Sequence, residues 1–389
     1  MSVQLPLGLS DDAPAPGEPP TEAWAAALAS FPAMTAHRLR LLLRHLTPQQ
    51  AFAVATGQAP PPAPIDRLLL DRDLARRWAG AAGRHDPNAV WQRCTELGVG
   101  VAVLGRTGYP WALALDRAAP AVLFHRGDLA VLERRRVGIV GTRNATLAGR
   151  STARRFGRAL AAEGVAVVSG LARGVDGEAH RGALDAGGAP VGVVASGLDV
   201  VYPPEHGDLW QQVAESGVLL SEAPPGTAPE AHRFPLRNRV LAALSEVLLV
   251  VESRASGGSL ITAREARDRG IDVLVVPGST ASRASEGTNL LARDGAGIAL
   301  DPTDVLVALG LDSRRRGPGG PDPRLPPQPA DRSLLDLFDG AGLELEELVA
   351  RSGRTVAEVA LALGRLEGAG WVADAGGWFE RVEAVPGWP

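Results

Sequence analysis

Apolar runs of strand length, without polar alternation, recur through the middle of the chain: VGIVG at 137–141, VAVVSG at 165–170, VGVVASG at 191–197, VLLSE at 218–222, VLLVVES at 247–253 and VLVVPG at 273–278. Amphipathic stretches of helical length separate them. Strands that are apolar on both sides belong in a parallel sheet covered on both faces, so residues 101–311 are predicted to form a doubly wound α/β domain.

The period changes on either side. From Trp24 to Gly57 the residues Leu28, Phe31, Leu39, Leu42, Leu43, Leu46 and Phe52 fall at helical spacings; GQAPPPAP then interrupts, and a second helical stretch runs from about Asp66 to Leu97. Residues 1–20 read as a flexible tail and 21–100 as a small all-α domain. Residues 312–332 are rich in Pro and Gly and read as a linker, solvated despite the three adjacent arginines Arg314, Arg315 and Arg316. Over 333–389, SLLDLF, LEELVARSG and TVAEVALALGRLEGAGW predict three helices. VADAGGWFERV predicts a hairpin turning at Gly376 and Gly377, which completes a winged-helix domain.

Composition narrows the chemistry. No apolar run reaches bilayer length, and the N-terminus lacks the basic start and apolar core of a secretory signal, so a cytoplasmic, non-membrane protein is expected. Cys94 is the single cysteine, which excludes an internal disulfide and a multi-cysteine zinc site. Neither metal nor cofactor is expected. All 40 permanent side-chain cations are arginines, so a phosphate site must use guanidinium forks, backbone N–H groups or helix N-termini. Residues 331–389 hold eleven Asp and Glu against five Arg, a net of −6, so the winged helix is expected to contact protein, or little at all, rather than DNA.

In an open parallel sheet, ligands bind beyond the carboxyl ends of the strands, and the unusual residues of the central domain gather there. They are Gly141, Thr142 and Arg143; Ser169 to Asp176, with Gly170, Arg173 and Gly174; Ser196 and Gly197; Ser221 and Glu222; and Ser256, Gly257, Gly258 and Ser259, which open a helix over Leu260 to Arg269. Glycines permit close backbone approach, and exposed N–H groups with serine hydroxyls suit anionic oxygens, so this rim is predicted to hold phosphate. A dinucleotide is disfavoured. The turn GIVGTR lacks the G-x-G-x-x-G spacing, and the second strand ends in Ser169-Gly170 where a ribose-binding acid belongs. A Walker A loop lacks its lysine.

RFPLRNRV, at 233–240, gathers Arg233, Arg237 and Arg239 around Phe234 and Asn238. A helix is expected to begin near Pro235 with Leu236, Val240 and Leu244 facing the core. At least one of these arginines is expected to face ligand and one to be an ion-pair partner. Phe234, outside the helix, offers either a base-stacking face or a hydrophobic staple. Asp176 and His180, four residues apart, read more readily as a helix-dipole acid with a bonded histidine than as an acid/base pair. Glu222 and Glu252, at strand ends, are expected to partner nearby arginines.

In their order and spacing, GIVGTR, VVSGLARGVDGEAH, GLDVVYPPEHGDLW, LLSEAPPG, RFPLRNRVLAALS, VVES, GGSLITAREA and VPGS…EGTNLLARDGA resemble the DprA (Smf) family of DNA-processing proteins, from about Gly108 to Gly297. The resemblance implies a Rossmann-like, non-enzymatic protein that binds single-stranded DNA, forms a homodimer, protects incoming strands and loads the RecA recombinase during natural transformation. It places the binding pocket at Thr142 and Arg143; at Ser169, Gly170 and Arg173; at Phe234, Arg237, Asn238 and Arg239; and at the helix start from Ser256 to Ser259. Residues 21–100 correspond to the family's SAM- or helix-hairpin-helix-like domain. Pro32 and Ala33 depart from the glycine-bearing hairpin often found there, and arginine must replace the phosphate-binding lysines common in relatives. The alternative is a nucleotide-processing enzyme of the LOG-type phosphoribohydrolase class, on a related fold. Its PGGxGTxxE signature is not met, because Ser279 follows Pro277-Gly278 and Leu291 stands at the position of the glutamate.

Overall fold

The computed structural model describes residues 18–63, 65, 71–311, 327–338, 343–374 and 377–381. It divides into two compact units, residues 1–309 and 310–389. Residues 1–17 of the expected tail and 312–326 of the expected linker lie outside the described residues, as does Gly376 of the expected turn.

The first unit is built on β1 (Gly100–Val103), β2 (Val122–Gly127), β3 (Arg136–Val140), β4 (Ala166–Ser169), β5 (Val191–Val193), β6 (Val218–Ser221), β7 (Val247–Val250), β8 (Asp272–Val275) and β9 (Gly297–Ile298). They form one sheet in the order β1-β2-β6-β5-β4-β3-β7-β8-β9. Strands β3 to β9 pair in parallel. The six apolar runs supply β3 to β8, and this is the doubly wound, Rossmann-like α/β architecture. Most of these strands stop before their runs end. After β7 the residues Val251, Glu252 and Ser253 remain buried but leave the ladder, forming part of the upper rim.

The sheet is not wholly parallel. Strands β1 and β2 extend one edge in antiparallel fashion, β2 pairing with β6. The short GVAV segment and the half-polar VLFHRG segment carry no long apolar run to announce them. Neighbouring side chains of a strand enter opposite faces: Leu219 of β6 joins one core, and Val218 and Leu220 join the other.

Among the described residues the N-terminal helical stretches resolve into Thr21–Ala29, Ala36–His45, Pro48–Ala55, Arg72–Ala79 and Pro87–Glu96. Breaks follow local chemistry. Thr47 caps its helix reciprocally with Gln50, and Pro48 takes the first helical position, where no N–H is needed. The helices do not close a core of their own. Leu28, Phe31, Leu42, Phe52 and Trp78 share one apolar cluster with Phe124, Trp210 and Leu219 from the sheet side. Each such fully buried side chain contributes roughly 1.5–3 kcal/mol.

Helices Leu147–Ala162 and Val175–Asp185 meet through glycines. A Cβ on Gly182 would lie 2.1 Å from the Arg154 carbonyl oxygen, and one on Gly157 would lie 2.2 Å from that of Ala179. Gly182→Val is therefore expected to destabilise by about 1–3 kcal/mol through overpacking, read as a lower thermal midpoint.

In the second unit the helices are Pro329–Leu335, Leu345–Ser352 and Val356–Gly368, with β10 (Leu343–Glu344), β11 (Val372–Asp374) and β12 (Trp378–Arg381) in the order β10-β12-β11. This is the winged-helix arrangement. Its first helix begins at Pro329, inside the stretch read as linker, because proline suits a first helical turn. Leu334, Leu348, Val359 and Leu363 form the core.

Candidate functional site

Beyond the carboxyl ends of β3 and β7 lies a cleft of about 590 Å³. The sequence-selected residues Gly141, Thr142, Arg143, Phe234, Arg237, Asn238, Ser256, Gly257, Gly258 and Ser259 line it. Asn144, Tyr202 and Arg254 line it too and were not foreseen as site residues. Tyr202 sits within the GLDVVYPP motif, which marks it; Arg254 carried no signal beyond following Ser253.

One wall is the loop after β3. The Thr142 N–H donates to the Glu252 carbonyl at 2.7 Å, and the Thr142 carbonyl accepts from the Val175 N–H at 3.3 Å. Gly174, at φ 74°, allows that second approach: a Cβ there would lie 2.4 Å from the Thr142 carbonyl oxygen. Among the described residues Glu252 is not paired with an arginine, contrary to expectation. Its carboxylate sits beneath the start of helix Leu147–Ala162, accepting from the Thr146 N–H at 2.9 Å and hydroxyl at 2.5 Å. Glu222 does pair with an arginine, Arg239.

A second wall is the helix containing RFPLRNRV. It spans Arg233–Leu244, so Phe234 lies in its first turn rather than outside it. Its buried phase is Arg237, Val240, Leu241 and Leu244, which leaves Leu236 55% exposed instead of core-facing. Phe234 carries the Arg143 guanidinium 4.6 Å from its ring centroid, and Tyr202 packs against it at 5.5 Å. The exposed cation and the half-buried ring thus form one platform.

The three arginines of this helix divide. Arg237 turns inward and is 7% exposed. Its Nη1 donates to the Gly170 carbonyl at 2.9 Å and to that of Val193, while Asp176 accepts from the Gly170 N–H at 3.2 Å. Gly170 has to be glycine here, since a Cβ would meet Arg237 Nη2 at 2.5 Å and Asp176 Oδ2 at 2.6 Å. Burial pushes the Asp176 carboxyl up, against the pull of Arg237. Burial also pushes Arg237 down, to about 10, so it stays charged at neutral pH. Arg239 faces away from the cleft, bonded to Glu222 and to the Ala118 carbonyl. Arg233 lines a separate cavity.

Other expected ligand groups are also committed within the fold. The Ser169 hydroxyl donates to the Ile139 carbonyl at 2.6 Å, fully buried. Gly197 packs against the Pro224 carbonyl and Asp199. Arg173 is exposed but paired with Glu205, whose carboxyl it holds down to about 2. His180 is not bonded to Asp176: its Nε2 donates to the Val191 carbonyl at 3.2 Å, and burial lowers its pKa to about 3. It is a neutral core residue.

The floor of the cleft is the start of helix Gly258–Arg267. Its N-cap, Gly257, provides no side-chain cap, and the Leu260 N–H is taken by the Gly257 carbonyl at 3.0 Å, so Gly258 and Ser259, which line the cleft, bring the first amides and the positive end of the helix dipole to it. Arg143 above and these amides below suit an extended anion. Among the described residues there is no group of His, Cys, Asp and Glu arranged for a metal, and no helix long and apolar enough to cross a membrane. Leu291, where a phosphoribohydrolase would place its glutamate, packs on the core.

The family model for DNA recombination-mediator protein A matches residues 100–310, which span the sheet and every residue of this cleft. The chain belongs to that family. Protein Smf of Escherichia coli is 35% identical over 281 residues, covering 70% of this chain and 75% of that protein. DNA processing protein DprA of Bacillus subtilis is 38% identical over 215 residues, covering 55% and 72%. Among solved structures, DNA processing protein A from Streptococcus pneumoniae aligns with a TM-score of 0.61 at 28% identity, covering 74% of this chain and 96% of that one. The counterpart from Helicobacter pylori, described for its single-stranded DNA binding mode, aligns at 0.50 with 29% identity, covering 55% and 96%. Family membership and the core-packed Leu291 together disfavour the phosphoribohydrolase reading.

Proposed function

We propose that the cleft binds single-stranded DNA through its sugar-phosphate chain, without catalysis, cofactor or metal. The observation that carries this reading is the meeting of Arg143, the Phe234 ring and the uncapped start of helix Gly258–Arg267 around one cleft. A focused cation with open amides captures a polyanion even in a chain of net charge −4. One aromatic platform amid many backbone N–H groups favours grip on phosphates over reading of bases. The named H. pylori relative supports the choice of single strands. As a family member, the protein is proposed to act as a homodimer that hands strands to a RecA-type recombinase, with the acidic winged helix serving a protein partner.

The test is a salt-dependent titration with single-stranded and duplex DNA of equal length. Single strands are expected to bind more tightly. Arg143→Ala is expected to lower affinity about tenfold, equally across sequences, and to reduce the salt slope by about 0.7. Unchanged affinity and slope would end this reading.

A further inference from the structure

The N-terminal helices carry charge of one sign. From residue 23 to residue 65 the chain holds Arg38, Arg40 and Arg44 and no Asp or Glu, within a protein of net charge −4. All three lie on helix Ala36–His45, whose apolar side, Leu39 and Leu42, is buried. Arg40 and Arg44 sit one turn apart, where like charges repel. Arg40 also donates to the carbonyl of Arg117, which sets a third cation, exposed, beside them. Among the described residues the guanidinium groups of Arg44 and Arg117 meet no acceptor. Two nearby acids are already engaged: Asp116 lies 2.7 Å from Arg269, and Glu222 is bonded to Arg239.

The segment that ends in Arg117 adds apolar surface. Trp111 is 66% exposed and Leu115, one helical turn on, is 63% exposed; among the described residues no aromatic side chain is more open than Trp111. Cations beside an exposed indole suit a single-stranded nucleic acid, whose phosphates take guanidinium groups while a base stacks on the ring. An acidic peptide would meet the arginines and leave the ring in water. An anionic membrane fits less well, because the leucines of helix Ala36–His45 are already buried and only Trp111 and Leu115 remain to enter lipid. Position supports the nucleic acid. Arg239, on the side of helix Arg233–Leu244 turned away from the cleft, donates to the Ala118 carbonyl, so one helix joins the cleft to this patch.

We propose that Arg40, Arg44, Arg117 and Trp111 form a second contact surface for single-stranded nucleic acid, separate from the cleft. The choice of a DNA strand over another polyanion rests on the function proposed above; the patch itself does not.

The experiment uses the full chain, a polythymidine oligonucleotide, an abasic oligonucleotide of equal length, and phosphatidylglycerol vesicles. Arg40 is left in place because its bond to the Arg117 carbonyl holds two segments together. Arg44→Gln with Arg117→Gln is expected to lower affinity for both oligonucleotides about tenfold and to reduce the salt slope by about 1.4, twice the 0.7 of one phosphate contact. Trp111→Ala is expected to lower affinity for polythymidine about tenfold, with the slope and the abasic oligonucleotide unchanged. Both variants should keep the native thermal midpoint, since the altered side chains are exposed. Wild-type affinity and slope in the double variant would overturn the proposal. An equal loss on both oligonucleotides in Trp111→Ala would remove the stacking role and overturn it too, and loss of vesicle binding with oligonucleotide binding intact would assign the patch to membrane instead. Arg143→Ala separates the two sites. If it matches wild type while the patch variants lose affinity, the cleft reading falls and this one stands; if wild type binds neither oligonucleotide, both fall.

Discussion

Replacing Arg237 by alanine is expected to lower the stability of the first unit by about 3–5 kcal/mol, the cost of breaking a buried charge arrangement by removing one partner. The guanidinium satisfies the carbonyls of Gly170 and Val193 and lies beside Gly170 with the Asp176 carboxylate. Without it both carbonyls lose a donor, and Asp176, 7% exposed, loses its counter-charge. Asp176→Asn in the same chain should recover part of the loss, because the buried negative charge goes with it. Arg237→Lys should fall between, since an ammonium on a flexible stem does not reproduce the fork. The check is the denaturant midpoint of the fluorescence of the buried Trp78 and Trp210. Equal midpoints in wild type and Arg237→Ala would show that the buried network contributes nothing. Where the midpoint falls, loss of DNA binding in Arg237→Ala reports collapse of the cleft wall, whereas Arg143, exposed on the Phe234 ring, tests contact with the strand.

The second large effect is with pH. His180 has its folded pKa lowered from 6.5 to about 3, chiefly by burial. Below pH 6.5 the unfolded chain takes up a proton that the native imidazole refuses. The stability associated with this group is therefore complete above pH 6.5 and is lost progressively as pH falls toward 3. The folding equilibrium loses about a factor of ten per pH unit in that window, or about 2 kcal/mol between pH 6.5 and 5. His125, lowered by burial as well, adds to the slope in the same direction. His180→Asn removes one titrating group while keeping a donor for the Val191 carbonyl. The difference in stability between wild type and this variant should shift against wild type on acidification from pH 7 to 5. A difference that stays constant with pH would contradict the assignment of a buried neutral histidine.

Much of the cleft was legible in the chain itself. GTR closes one apolar run and SGGS follows another after two residues, and a strand end followed by glycine, hydroxyl and arginine leads to the ligand-bearing rim of such sheets. The phase of RFPLRNRV was not legible. Placing Leu236 inward is the natural choice on hydrophobicity, yet the helix buries Arg237 because Gly170, Val193 and Asp176 wait beneath it with carbonyls and a carboxylate. Glu252 was misread for a similar reason: its partner is the start of helix Leu147–Ala162, more than a hundred residues earlier in the chain. Strands β1 and β2 escaped because edge strands with one half-polar member lack the continuous apolar signal of their buried neighbours.

By itself the sequence determined the class of fold, the rank of strands β3 to β8 and the position of the phosphate-seeking loops, since periodicity and motif spacing are properties of neighbouring residues. Only the tertiary structure decided which arginines are committed inside and which face the cleft. That choice depends on carbonyls, carboxylates and glycine-sized gaps brought together from distant parts of the chain, and no local pattern encodes them.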